Sequence, residues 1–340
     1  MRRIILASLL ALLPFCARVE AQQAEPQKIN VAYAFVASST LPLWVAEEKG
    51  LFKKYGLDPK LISFQGSAAA TQALLGGSVD IVFGSASAAI TVVGRGIPVV
   101  VLATTHLLDY ELVARPNVTD PAQLRGGTLG ISAFSGGDDF AARRLLPLLG
   151  LTYDKDVKFV VLGTPNPYQK AEAVLNGTAD ATLANFEVTD TLKLQGKPMS
   201  VLASILDKGI KLSIGDIYVT RAYLAKSPET VKNFLRAFSE AIRLAKNDKQ
   251  MTFDLLRKHT RTENPTIQQE VYQRIVVGQF EDVPYTPIET IIIQRDDMSL
   301  SSPDLAKLKE MKPEAFVDNG PLQALEKEGF FKNLPPVKPQ

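Results

Sequence analysis

The strongest constraint on this chain is that it repeats itself. The run Ala73-Leu-Leu-Gly-Gly-Ser-Val-Asp-Ile-Val-Phe-Gly84 returns one hundred positions later as Ala173-Val-Leu-Asn-Gly-Thr-Ala-Asp-Ala-Thr-Leu-Ala184. Ala73/Ala173, Leu75/Leu175, Gly77/Gly177 and Asp80/Asp180 are identical. Around the first copy, Phe64–Ile90 reads as a strand end, a Gly66-Ser67 turn and a short helix stopped by Gly76-Gly77. Asp80 then sits in a turn, Val79–Phe83 forms a strand, and Gly84-Ser85-Ala86-Ser87 opens another helix. The echo extends upstream. Residues 29–35 form a strand, Pro42–Tyr55 a helix stopped at Gly56-Leu57, and Leu57–Phe64 the next strand. In the second half Thr128–Ser132, Asp138–Leu149, Gly150-Leu151 and Val157–Leu162 play the same parts. Both halves therefore run βαβαβ, and two such units in one chain predict two lobes facing each other.

Between the units, Ala86–Gly94 reads as a helix, and Pro98–Thr105 and Glu111–Arg115 as strands with His106–Tyr110 as a turn. The polar, turn-rich stretch Asn117–Gly127 is the expected place for the chain to cross to the second lobe. Val201–Ser204 is a further strand, and Ser213–Thr220 is expected to return to the first lobe. The remainder is helical in pattern, over Ser227–Lys246, Lys249–His259, Thr266–Val276 and Pro287–Leu300, with shorter helices at Asp304–Met311 and Leu322–Glu328. These helices are expected to brace one lobe against the other.

The first 21 residues have the layout of a secretory signal: Arg2-Arg3, the apolar run Ile4–Phe15, and the small-x-small site Val19-Glu20-Ala21 before Gln22. Its apolar core is too short, and broken by Pro14, to span a bilayer. Cleavage after Ala21 removes Cys16, the one cysteine, so the exported protein is expected to be stabilised by its own core without disulfides. Cleavage also removes Arg2, Arg3, Arg18 and Glu20 and brings the formal charge from +2 to zero. A balanced surface gives no sign of nucleic-acid binding, which needs clustered Lys and Arg.

The strand tips carry the chemistry. Each is followed by small or polar residues and then a helix start: Ser38, Ser39 and Thr40; Gly66 and Ser67; Ser85 and Ser87; Phe134, Ser135, Gly136 and Asp138; Asn185 and Glu187. In open α/β sheets ligands bind beyond the carboxyl ends of the strands. Helix N-termini there offer unpaired N–H groups and about half a positive charge. Serine before a helix usually caps it, and a capping hydroxyl can also face a ligand. Asp138, Asp139 and Glu187 in first helical turns complement the dipole or read a ligand amine. Phe35, Phe64, Phe134 and Phe186 lie at strand tips, where stacking and core capping both remain open, while Trp44 is expected in the core. His106 and His259 stand far apart in sequence, and no phosphate loop, Gly-x-Ser-x-Gly or dinucleotide fingerprint is present. A catalytic site, a metal and a cofactor are therefore not expected.

The runs Pro42-Leu-Trp-Val-Ala-Glu-Glu-Lys-Gly-Leu-Phe-Lys-Lys-Tyr-Gly-Leu-Asp58, Gln123-Leu-Arg-Gly-Gly-Thr-Leu-Gly-Ile131 and Ser227-Pro-Glu-Thr-Val-Lys-Asn-Phe-Leu-Arg-Ala237 resemble the nitrate/sulfonate/taurine-type solute-binding proteins of bacterial ABC importers. The resemblance implies an α/β fold of the type II periplasmic binding protein kind: two lobes, each a mostly parallel sheet flanked by helices, with two crossing strands as hinge. Lobe 1 is expected over 28–115 and 218–335, and lobe 2 over 116–217. It also implies a monomeric periplasmic receptor for a small organic anion or zwitterion, meeting an inner-membrane ABC permease transiently. Related chains often carry Trp-Glu-Pro where this one has Phe186-Glu187-Val188, keeping only the Glu. The Cys-rich motif of a related thiamine-precursor synthase is missing. A pyrimidine or thiamine-precursor binder and a module of an exported sensor system are the alternatives.

Overall fold

The computed structural model describes residues 25–338 apart from 135 and 302. The expected signal segment and Ser135 lie outside the described residues. Two five-stranded sheets form the framework. The first holds β1 (Gln27–Tyr33), β2 (Leu57–Ser63), β3 (Ile81–Gly84), β4 (Val99–Leu107) and β10 (Ser213–Thr220), in the order β2-β1-β3-β10-β4. The second holds β5 (Tyr110–Ala114), β6 (Gly127–Ile131), β7 (Val157–Val161), β8 (Ala181–Asn185) and β9 (Ser200–Ser204), in the order β7-β6-β8-β5-β9. The two orders are equivalent, so the repeat seen in the sequence is a repeat of topology.

The repeated Asp and Gly have a backbone explanation. Asp80 Oδ2 accepts the N–H of Asn30 at 2.8 Å, while the Asp80 N–H donates to the Asn30 carbonyl. Asp180 Oδ2 accepts the N–H of Thr128 at 2.8 Å, and its own N–H donates to the Thr128 carbonyl. Each Asp thus ties the end of a helix–strand turn to the neighbouring parallel strand. Gly77 (φ 71°) and Gly177 (φ 79°) end the preceding helices in the left-handed region, where a side chain is strained.

The sheets are mostly parallel, as expected, with one strand of five opposed: β1 pairs parallel with β2 and β3, but β10 runs antiparallel to both β3 and β4. The second sheet repeats this, with β5 antiparallel to β8 and β9. In each sheet the antiparallel strand is the one that arrives from the other half of the chain. One expectation is corrected: the first crossing falls earlier than expected. Because β5 belongs to the second sheet, the chain crosses at Leu108-Asp109, not at Asn117–Gly127. That stretch instead connects β5 to β6 through a short 3-10 turn whose Asp120 and Gln123 form a capping box. The two crossings lie side by side, since the Leu108 N–H donates to the Leu212 carbonyl at 2.7 Å.

On the first sheet, the helix expected over 42–55 is two helices, α1 (Leu41–Glu48) and α2 (Leu51–Lys54), because Gly50 takes a φ of 66° between them. Helices α3 (Ser67–Leu75) and α4 (Ala86–Gly94) also flank this sheet, and α5 (Gly137–Leu148), α6 (Pro167–Leu175) and α7 (Phe186–Leu194) flank the second. After β10 come α8 (Arg221–Lys226), α9 (Pro228–Asn247), α10 (Lys249–Thr260) and α11 (Pro265–Val271). The last runs into a π-helical turn, Tyr272–Val277, before α12 (Ile288–Ser301) and α13 (Gly320–Lys327). Helix α9 buries Val231, Phe234, Leu235, Phe238 and Ile242, a stripe at helical spacing, against the core formed with α1 and α2. Each such side chain contributes about 1.5–3 kcal/mol by leaving water. It is thus part of the first lobe and not a brace between lobes. Lobe meets lobe through other residues. Phe140 of α5 and Phe186 of α7 enter first-lobe clusters, Ile293 of α12 packs on the second-lobe core, and Arg144 pairs with Asp297.

Candidate functional site

A cavity of about 320 Å³ opens between the sheets. The first lobe contributes Phe35, Val36, Ser38, Ser39, Gly66, Ser67 and Ser85 to its wall. The second contributes Ser132, Phe134, Gly136, Gly137, Asp138, Thr164 and Asn185. His106, Leu108, Asp109, Tyr110, Ser213 and Ile214 come from the two crossings. The wall therefore joins both lobes and the hinge.

The helices α3, α4, α5 and α7 all begin at this wall, at Gly66, Ser85, Gly136 and Asn185. None of the four has a side-chain cap. Other helix starts are mixed: α6, α8, α10 and α11 are capped by Asn166, Thr220, Asp248 and Asn264, while α1 and α9 have no side-chain cap. First-turn N–H groups left without side-chain caps keep their partial positive charge directed at the cavity. Some are used internally: Ser67 Oγ accepts the Ser85 N–H at 3.0 Å, and Asp216 Oδ2 accepts the Ala86 N–H at 2.7 Å.

Of the residues expected at a site, Ser38, Ser39, Gly66, Ser67, Ser85, Phe134, Gly136, Asp138 and Asn185 line this one cavity. Ser135 is outside the described residues. Three others stand off it. Thr40 is buried and donates to the Phe35 carbonyl at 3.0 Å. Ser87 is buried behind Ser85, their hydroxyls 2.7 Å apart. Glu187 lines an adjoining chamber with Tyr168, His259 and Arg261, and its carboxylate accepts the Ser38 hydroxyl across the lobes. Phe35 also lines the cavity, whereas Phe64 packs on the core and Phe186 lies buried beneath Arg274, 3.7 Å away. Trp44 is core, stacked on His259 at 4.4 Å.

The acids near the wall differ in their state. Asp138 is fully buried and pairs with buried Lys170 at 2.7 Å, besides accepting the N–H and hydroxyl of Ser132. Burial opposes its ionisation, but Lys170 and Ser132 together hold it below the usual carboxylate range. Asp139 pairs with Arg143 one turn on. Burial pushes Glu187 up to about 7, with Ser38 opposing. Burial likewise pushes Asp216 up to about 6, although Thr104, the Ala86 N–H and Ser213 all donate to it.

Two residues of the first crossing were not expected at the site. Asp109 is pushed up to about 6 by burial, and its shielded Oδ2 has no partner among the described residues. His106 is buried, held neutral with its ring pushed down to about 3, and its Nδ1 is likewise unpartnered. Ser39 Oγ and Asn185 Oδ1 complete a set of four such atoms on cavity-lining residues. Buried polar groups are nearly always paired, so orphans gathered at one wall point to an external partner. The sequence signal was present: an imidazole and a carboxylate within His106–Tyr110, beside an apolar strand.

Two mixed sheets of this order, with a cavity at their hinge, define the periplasmic binding protein fold. By its sequence the chain belongs to the NMT1/THI5-like family, which it matches over residues 37–251. A Brucella abortus protein named provisionally as a binding protein is 25% identical over 228 residues, spanning 66% of this chain and 69% of its own. A Bordetella bronchiseptica RB50 structure shares 21% identity at a TM-score of 0.75, covering 89% of this chain and 98% of its own. The alkanesulfonate-binding protein SsuA from Xanthomonas axonopodis pv. citri, bound to MOPS, shares 18% identity at a TM-score of 0.68, covering 87% and 99% respectively.

Proposed function

We propose that the protein is a non-catalytic, exported receptor of an ABC importer. It captures a small organic anion or zwitterion of the sulfonate, taurine or carboxylate class between its lobes and hands it to an inner-membrane permease. The observation that carries this reading is the convergence of four helix starts without side-chain caps, from both lobes, on one cavity. They supply an anion-attracting wall without a basic side chain. Ser38, Ser39, Ser67, Ser85 and Asn185 would direct polar atoms at the guest, and Phe35 and Phe134 would cover its apolar part. A guest touching both lobes binds the closed form better than the open one, which is what shifts that equilibrium. The Xanthomonas protein's alkanesulfonate ligand class supports the same chemistry.

A thermal-shift screen of taurine, alkanesulfonates and short carboxylates on the protein without residues 1–21 tests this. A ligand at 100 times its Kd adds about 2.7 kcal/mol of stability. Ser39→Ala combined with Asn185→Ala should then weaken the best ligand while leaving the unliganded melting temperature nearly unchanged. Unchanged affinity in that double variant would remove the cavity from the proposal.

A further inference from the structure

We infer that Asp109 makes this cavity selective for zwitterions, whose ammonium group sits against the hinge while the acidic group sits at the helix starts. The inference rests on the reading that the interlobe cavity is the receptor site. Five acids stand in or around the wall, and four are spoken for. Asp138 is neutralised by Lys170, Asp139 pairs with Arg143, Asp216 accepts three donors, and Glu187 accepts the Ser38 hydroxyl. Asp109 alone among them has a buried carboxylate oxygen without a partner among the described residues. Arg274, whose charge acts on it, lies over the Phe186 ring and forms no ion pair with it among the described residues. Among the described residues no Lys or Arg lines the cavity.

A bare oxyanion placed here would meet the like charge of Asp109 with no cation among the described lining residues to offset it. An ammonium group supplies what Asp109 Oδ2 lacks: a donor that carries the opposite charge. The position matters as well. Asp109 lies in the two-residue step between β4 and β5, so a guest bonded to it and to the helix starts spans both lobes and the hinge.

The test uses pairs that differ by one amine: taurine against ethanesulfonate, and β-alanine against propionate, titrated calorimetrically into the protein without residues 1–21. The aminated member should bind about 30-fold tighter or more, the lower end of what a buried, hydrogen-bonded charge pair is worth. Asp109→Asn should cut that ratio to a few-fold. The variant should stay folded, because it removes a charge that burial already disfavours, and the wild-type ratio is decisive without it. Equal or tighter binding of the unaminated members overturns the inference and leaves the receptor standing, as does a ratio that survives in Asp109→Asn. No binding by any of the four, on protein shown to be folded by circular dichroism, overturns both.

Discussion

Lys170→Met puts the buried ion pair behind the cavity wall to a quantitative test. Lys170 and Asp138 are nearly inaccessible, with side-chain exposures of 1% and 2%, and meet at 2.7 Å. Removing one partner of such a pair costs about 3–5 kcal/mol, because a charge is left buried. The N–H and hydroxyl of Ser132 still donate to Asp138, so the lower part of that range, about 3 kcal/mol, is expected at pH 7.5. The pH dependence carries the diagnosis. In the wild type Asp138 is held below its ordinary value. Its stabilisation is present above the unfolded value and is lost as pH falls through the folded one. Without Lys170, burial dominates and pushes the same carboxyl up, so lowering the pH protonates it and relieves the penalty. Urea unfolding at pH 7.5 and pH 4.5 should therefore show a deficit that shrinks on acidification. Asp138→Asn combined with Lys170→Met should recover most of the loss. A deficit under about 1 kcal/mol at pH 7.5, or one independent of pH, would refute the assignment of Asp138 as scaffold.

Asp80→Ala and Asp180→Ala should each cost about 1–3 kcal/mol in chemical denaturation, since each leaves a strand N–H without its acceptor; a loss in one lobe and none in the other would break the equivalence of the repeats. Gly215→Ala should destabilise by about 2 kcal/mol or more, because its φ is 70° and the new Cβ would lie 2.5 Å from Thr105 Oγ1. Affinity for an aminated guest should fall about tenfold per pH unit below about 6, where Asp109 takes up its proton. Among the groups near Asp109, His106 titrates well below that window, Glu187 titrates near 7, and Arg274 and Glu111 act from further off. The profile is therefore read in Glu187→Gln, and a flat one between pH 5 and 6 would count against Asp109.

The duplication was legible because its marks answer to the backbone. Gly77 and Gly177 supply a left-handed turn, Asp80 and Asp180 reach a neighbouring N–H, and these demands recur wherever the unit recurs. The crossing was not legible. Tyr110–Ala114 alternates in the same way whichever sheet it joins, and a turn at His106–Tyr110 serves a hairpin within one sheet as well as a step to another. The break at Gly50 was hidden because the apolar face runs on through Leu51 and Phe52, both buried. At the site, helix starts could be read from small residues after strands. Which acids are satisfied could not, since Lys170 reaches Asp138 from 32 positions away and Ser38 reaches Glu187 from 149.

A crystal structure with the tightest ligand of the zwitterion series bound is the most direct test. Helix starts from both lobes should meet the acidic group within hydrogen-bond distance, with the ammonium beside Asp109. A ligand found outside this cavity, or held by one lobe alone, would contradict the account.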